Sequence, residues 1–445
     1  MLEEKIGCNA EYDRARVVLV HTPNVELAIG TECAKGSLFE GPLNFREVKK
    51  EHDRFKSKLR NKGIKVIDIT DVLLDGTRDQ NGNPVDSPSL DALREFANQS
   101  LKYDYKTDGN NKFSQDEIDR FEAAKRISIQ MAEPEQLLDI ILRRPLKIIE
   151  KVDINTNYVT KNMESPLYNL MFMRDQMITT DKGIVLGSMN SEQRRLETEI
   201  VKFVLDKIGI KPVYVFSEQD GKLEGGDFIP AGDHAFLGQG LRTNSKGVQT
   251  LLAKRTMSFP TVYIVKDGHK EQDEMHLDTY FNIVSRKKAV ILKTRLDDPK
   301  TRIDVYTLQH DGTYERTSEN LSFRQVLSKE GYSFVEFDTD IQRLYGVNLL
   351  TVEEGDFIGV HIGNKVNLRN QLNKIQQRLG FSLDDGISKY TPKEIMIVHR
   401  DYVARLQELI GADSPSIIEE KLLCFNHLNQ AYGGPHCLTQ VISRG

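Results

Sequence analysis

A chain of 445 residues, 39% hydrophobic and 29% charged, has material for one large fold or two to three ordinary domains, and its composition is that of a globular protein. Its 61 basic and 66 acidic residues leave a net charge of −5, with no Lys/Arg run to mark a nucleic-acid surface. The four cysteines, Cys8, Cys33, Cys424 and Cys437, include no CxxC pair, which argues against a disulfide framework or a zinc finger. The N-terminal residues lack the apolar core of a signal peptide, and no run of about 18 apolar residues exists to span a membrane. The expectation is a cytoplasmic protein with free thiols that binds neither nucleic acid nor membrane.

The chain opens with a short buried strand at 16–21, an amphipathic helix over 45–63 with Phe45, Val48, Phe55 and Leu59 on one face, and a second strand at 64–69, as an α/β unit would. Residues 74–112 are then rich in Asp, Asn, Gly and Ser, and 114–150 read as helical, divided by Pro134 and Pro145. Residues 75–160 are therefore expected to be a mainly helical insertion. Beyond 170 a unit recurs in which an apolar strand meets a polar turn and a helix follows. Its copies are 183–209, 234–254 and 356–380. In the first, Asn190 or Ser191 is placed to cap the helix and Gly209 to end it. Such repetition predicts several pseudo-symmetric strand-and-helix units whose turns converge on a centre. Residues 381–428 fit no copy and read as a second insertion.

Four segments adjoining apolar runs concentrate polar chemistry: Asn169-Leu-Met-Phe-Met-Arg-Asp175, Glu224-Gly-Gly-Asp227, His276-Leu-Asp278 and Gly433-Gly-Pro-His-Cys437. The paired glycines of the second allow positive φ and close approach to a ligand, although the same pattern suits an ordinary acidic turn. On an extended chain His276 and Asp278 share a face and can enter one pocket; a core histidine beside a surface acid reads the same. Cys437 follows a glycine-rich loop that can present a thiol to substrate, whereas Cys424 sits in an apolar run that suits an inert one. His436 neighbours Cys437 but points to the opposite face of an extended chain, which favours His276 as its base. No four-ligand metal pattern is present, and carboxylates outnumber soft ligands, so no metal is expected.

In this order the segments resemble the arginine deiminases of the guanidino-group-modifying superfamily. The match is carried by Asn-x-x-Phe-x-Arg-Asp, Glu-Gly-Gly-Asp, His-x-Asp-Thr and Gly-Gly-Pro-x-Cys and runs from about residue 14 to the C-terminus. The resemblance implies an α/β fold, a five-bladed pseudo-symmetric propeller with a helical insertion, forming one catalytic domain over 1–445. It implies Cys437 as nucleophile and His276 as general acid and base. Asp175 and Asp278 would hold the guanidinium, with Glu224 beside the histidine. Arg194 and Arg242 would bind the α-carboxylate, and Asn169 would line the amino-acid end. The implied reaction converts free L-arginine to citrulline and ammonia through a cysteine thiouronium, without cofactor or metal, in a homo-oligomer. Tyr432 stands where the family usually has an arginine before Gly-Gly-Pro, and Met173-Arg174-Asp175-Gln176 replaces Thr-Arg-Asp-Pro. An amidinotransferase or a dihydrolase would share these motifs. A non-catalytic arginine sensor would share the pocket but has no need of a nucleophile.

Overall fold

The computed structural model describes residues 4–106, 112–152, 157–380 and 386–445. Residues 107–111 and 153–156 of the first expected insertion, and 381–385 of the second, lie outside the described residues.

The architecture is mixed α/β and repeats one small pattern. In each of six sheets a central strand has one antiparallel and one parallel neighbour; one of them, centred on Pro145–Lys151, belongs to the first excursion, and the other five follow. In chain order of the hairpins, the central strands are Gly183–Leu186, His234–Gln239, Lys288–Leu292 and Asp356–Val360. Their antiparallel neighbours are Met177–Thr180, Phe228–Pro230, Phe281–Ser285 and Leu350–Glu353. Their parallel neighbours are Tyr214–Val215, Thr261–Asp267, Ser333–Phe337 and Leu422–Leu423. The fifth sheet joins the two ends of the chain: Ala15–Val20 pairs parallel with Lys65–Asp68 and antiparallel with Gln440–Arg444. A parallel neighbour requires a crossover, and helices supply it, Glu197–Lys207 and Ser245–Ala253 being the shortest solutions.

The central strands are apolar along nearly their whole length because both faces are covered; every residue of Gly183–Leu186 is buried. The helices are bounded by local chemistry. Asn44 accepts from the Glu47 N–H to start Phe45–Asn61, and Thr391 forms a capping box with Glu394 at the head of Pro392–Ile410, which Gly411 ends in the left-handed region.

Three sequence expectations change, and one unit had not been read. The stretch 145–150 is a strand, Pro145–Lys151, not helix: Pro145 removes a helical donor, and the segment pairs between Lys102–Lys106 and Tyr158–Glu164. The first excursion thus carries a sheet besides the helices Pro88–Ser100, Gln115–Met131 and Pro134–Arg143. Neither Asn190 nor Ser191 caps a helix; the chain makes a short turn at Glu192–Arg194, and Glu197–Lys207 starts without a side-chain cap. Within 381–428, Leu422–Leu423 completes the last sheet, and Pro392–Ile410 buries Ile395, Tyr402 and Leu406. The unit around Lys288–Leu292 escapes a sequence reading because the hairpin Thr301–Leu308 and Tyr314–Leu321 separates that strand from its helix, Phe323–Lys329. No helix among the described residues is long and apolar enough to cross a membrane.

Candidate active site

The four polar segments meet where the sheets end. Glu224-Gly-Gly-Asp227 immediately precedes the strand Phe228–Pro230, and His276 and Asp278 sit in the short turn before Phe281–Ser285. Cys437 precedes the closing strand Gln440–Arg444, and Asp175 precedes Met177–Thr180. Three segments are tied together by the backbone, Gly225 N–H donating to the Asp175 carbonyl and Arg174 N–H to that of Cys437, and the fourth is held by Leu277 N–H, which donates to Asp227 Oδ1.

The glycines provide space rather than unusual φ. Neither Gly225 nor Gly226 has positive φ. A Cβ on Gly226 would stand 2.8 Å from the His276 ring, and one on Gly433 would overlap the Phe172 ring. Close approach is the reason for both.

Cys437 is buried, and its sulfur has two polar neighbours: Asn348 Nδ2 donates to it at 3.1 Å, and Asp278 Oδ2 lies at 3.7 Å. Asn348 also accepts the Cys437 N–H at 3.2 Å and donates to the Asp278 carbonyl at 3.2 Å, which locks the thiol loop to the Asp278 turn. Burial first, then the negative fields of Asp278 and Asp175, push the thiol well above its ordinary pKa.

His276 shares a 2.8 Å hydrogen bond with Glu224 through Nε2, and its Nδ1 lies 3.7 Å from Asp175 Oδ1. Burial alone would depress the imidazole. Asp175, the bond to Glu224 and nearby Asp227 outweigh it and push the pKa up to about 9, so the ring is an imidazolium at neutral pH. Glu224, which also accepts the Asn190 N–H at 2.8 Å, is held below the usual carboxylate range: burial opposes this, and the contact with His276 prevails.

Asp278 is fully buried. His436 does not serve the thiol. It bonds Asp278 Oδ2 at 2.7 Å from behind, and its far nitrogen lies 3.5 Å from Glu11, which also pairs with Arg174 at 3.3 Å and with Arg444. Burial opposes ionisation of Asp278, and His436, followed by His276 and Arg174, holds its carboxyl below the usual range. The chain at His276 is extended and then tightens into a turn at Leu277–Thr279, so the two side chains reach the centre from a turn rather than from a strand face.

The two expected carboxylate-binding arginines differ. Arg194 donates from Nη1 to Asp175 at 2.6 Å, to Glu197 at 2.9–3.1 Å through Nη2 and Nε, and from Nη2 to the Asn169 carbonyl at 3.3 Å, so two carboxylates already pair with it. Arg242 is equally buried but has no carboxylate partner among the described residues. Its Nη2 reaches only Gln272 Oε1 at 3.4 Å and the Met275 sulfur at 3.6 Å, and its Nε is unpartnered. Both arginines line one inner pocket with Asn169, Asp175, His276 and Cys437; Asn169 itself donates to the Ser37 carbonyl at 3.1 Å. The free volume there is about 20 Å³, close to that of a single water, so any larger occupant has to displace the walls.

Two further buried atoms stand out. Asp175 Oδ1 and Asp278 Oδ1 accept no hydrogen bond, although buried carboxylate oxygens are expensive to leave bare. A planar cation with several N–H donors is the chemical complement of such a pair. Asp175, Glu224 and His276 could also converge on a metal ion, as could His361, His399 and Glu419 elsewhere in the fold. In the first group His276 and Glu224 already satisfy one another. All eight residues singled out in the sequence lie in or beside this centre. Asn348 is the addition, and a lone Asn ahead of an apolar strand offered no local pattern by which to find it.

The fold and site define a mixed α/β protein with a buried thiol set among carboxylates and an imidazolium. The model of the arginine deiminase family matches residues 36–444, and the chain belongs to that family. It is 21% identical to the arginine deiminase of Staphylococcus haemolyticus over 100% of this chain and 99% of that one, and 23% identical to that of Borrelia recurrentis over 99% and 98%. Among solved structures it is similar to an amidinotransferase of Microseira wollei, with a TM-score of 0.47 and 11% identity over 99% of this chain and 97% of that one.

Proposed function

We propose that the protein hydrolyses the guanidinium group of free L-arginine to citrulline and ammonia through a covalent intermediate on Cys437. The observation that carries this reading is the pair of bare buried oxygens, Asp175 Oδ1 and Asp278 Oδ1, beside the thiol. A guanidinium between them would satisfy both. It would also cancel the two negative fields that keep the sulfur protonated, so substrate binding itself favours the thiolate. Asn348 supplies a donor to the sulfur as charge develops.

The thiolate adds to the guanidinium carbon. His276, already an imidazolium, gives its proton to one terminal nitrogen, which departs as ammonia and leaves a thiouronium on Cys437. The neutral imidazole then takes a proton from water as water adds to the same carbon. The carbon–sulfur bond breaks, and citrulline is released. Glu224 keeps the ring oriented and favours its charged form. Arg242 takes the α-carboxylate, because no carboxylate among the described residues is in contact with it. Arg194 fixes Asp175 and borders the same end with Asn169. Every group required is a side chain of this chain, so the reaction needs neither metal nor cofactor.

We infer the matching architecture as well: the five sheets stand around this centre as a pseudo-fivefold propeller, one catalytic domain over 1–445, with 75–160 and 381–428 as excursions from it. The repeated antiparallel–parallel pattern and the pairing of the first and last strands support this.

Incubation with L-arginine should yield citrulline and ammonia in equal amounts by mass spectrometry. Cys437→Ser should bind L-arginine in calorimetry while losing at least about a thousandfold in turnover. Ornithine as the product, or an active serine variant, would refute the proposal.

A further inference from the structure

A carboxylate entering the inner pocket meets donors that are largely committed within the fold. Arg194 is paired with Asp175 and Glu197. Asn169 donates from its amide to the Ser37 carbonyl at 3.1 Å, and the Thr279 hydroxyl donates to the His276 carbonyl at 2.6 Å. Arg242 is open to the ligand, but an ionised carboxylate has about four lone-pair sites, more than one guanidinium edge fills. Gln272 lines the same pocket with an amide that has almost nothing to do. Its Nε2 reaches only the Met275 sulfur at 3.8 Å, and a thioether is a weak acceptor. Its Oε1 accepts from Arg242 Nη2 at 3.4 Å, a long contact for an N–H···O bond.

The backbone beneath Gln272 is fixed although its amide is not. The residue opens the short turn Gln272–Glu274, which leads directly into His276. Glu274 pairs with the buried Arg295, itself held by Asp267 at 2.6 Å, and Gln342 Nε2 donates to the Asp273 carbonyl at 2.7 Å. The Gln272 amide makes no further hydrogen bond among the described residues. Its oxygen therefore occupies the position on Arg242 that a carboxylate oxygen would take, and only one weak bond has to break to free it. Rotation about the last side-chain torsion then turns Nε2 towards the newcomer. Met275, unbranched and flexible, can draw back as the carboxylate enters.

We propose that Gln272 is a specificity-determining residue that donates from Nε2 to the substrate α-carboxylate beside Arg242, and so selects a free α-amino acid over a guanidine lacking that group. The proposal rests on the catalytic reading above. Without substrate the amide oxygen is a placeholder on the Arg242 guanidinium; with substrate the amide nitrogen completes the set of donors around the carboxylate. A neutral donor suits this position, because it adds a directed hydrogen bond without setting a further cation beside Arg242 and the His276 imidazolium.

The test uses the full chain as wild type, Gln272→Leu and Gln272→Glu, with L-arginine as substrate and agmatine, its decarboxylated analogue, as competing ligand. Leucine approximates the size of glutamine without a donor. In that variant KM for L-arginine should rise at least about tenfold with kcat within about twofold, the pattern of a contact kept equally in ground and transition states, and the inhibition constant of agmatine should stay within about twofold. Gln272→Glu puts a carboxylate where the amide oxygen now lies 3.4 Å from Arg242 Nη2. That carboxylate engages the guanidinium and repels the one on the substrate, so KM for L-arginine should rise at least about a hundredfold. Agmatine, whose ammonium end meets the new charge, should bind as well as before or more tightly. An unchanged KM for L-arginine in Gln272→Leu, or equal weakening of L-arginine and agmatine in either variant, would overturn the proposal and leave the catalytic reading in place. No citrulline from the wild type would take down both.

Discussion

Arg242→Ala isolates the group that distinguishes a free amino acid from other guanidines. The Arg242 guanidinium is buried, its Nε has no hydrogen-bond partner among the described residues, and its best contacts are weak ones to Gln272 and Met275. Removing it breaks no ion pair and takes away only part of the positive field that holds Glu224 ionised, so the melting temperature should change little. In the complex the same group meets a carboxylate within a desolvated pocket. Truncating one partner of such a pair costs about 2–5 kcal/mol. Taking the middle of that range, about 3–4 kcal/mol, kcat/KM for L-arginine should fall roughly 150- to 900-fold at 1.36 kcal/mol per decade. Agmatine lacks the carboxylate, and its kcat/KM should change by less than about threefold. The assay is ammonia release from both substrates by wild type and variant, with a thermal melt of each. Equal losses for L-arginine and agmatine would refute the assignment of Arg242. A melting temperature lowered by more than about 5 °C would show that the side chain stabilises the fold instead.

Other consequences concern the imidazolium and the second arginine. With the His276 pKa at about 9, the form that protonates the leaving nitrogen is complete at neutral pH, so kcat/KM should fall as pH rises through about 9. The same shift stabilises the fold below the ordinary histidine value, and that contribution is lost as pH rises through about 9, measurable as a falling denaturation midpoint. Glu224→Gln removes the charge that supports the imidazolium and should move the alkaline limb of the pH–rate profile to lower pH; an unmoved limb would exclude His276 as its source. Arg194→Ala leaves Asp175 and Glu197 buried without their cation and should cost about 3–5 kcal/mol in urea unfolding, unlike Arg242→Ala. If the two variants unfold alike, the contrast drawn between these arginines is wrong.

Much of the candidate site was legible in the sequence because its chemistry lies in four short segments, each placed where an apolar strand starts or stops. Cys437 could be separated from Cys424 by local setting alone; the preference for His276 over His436 assumed an extended chain, whereas residues 435–438 form a turn with Leu438 N–H donating to the Gly434 carbonyl. The strand-and-helix units at 183–209, 234–254 and 356–380 were legible for the same reason: burial on both faces makes a strand apolar, and a following helix shows its own period. What lies within about ten residues leaves a pattern in the chain. Partnership does not. That Arg194 is paired with Asp175 and Glu197 while Arg242 has no carboxylate in contact, that His436 braces Asp278 with Glu11 behind it, and that Asn348 holds the sulfur are contacts between residues up to several hundred positions apart. A hairpin at 301–321 hid one unit, and the pairing of Pro145–Lys151 overrode a helical reading. The sequence by itself determined which groups are present and on which element ends. Only the tertiary structure decided which charges are satisfied and which are left for a ligand, because that depends on desolvation and on neighbours the chain brings together only when folded.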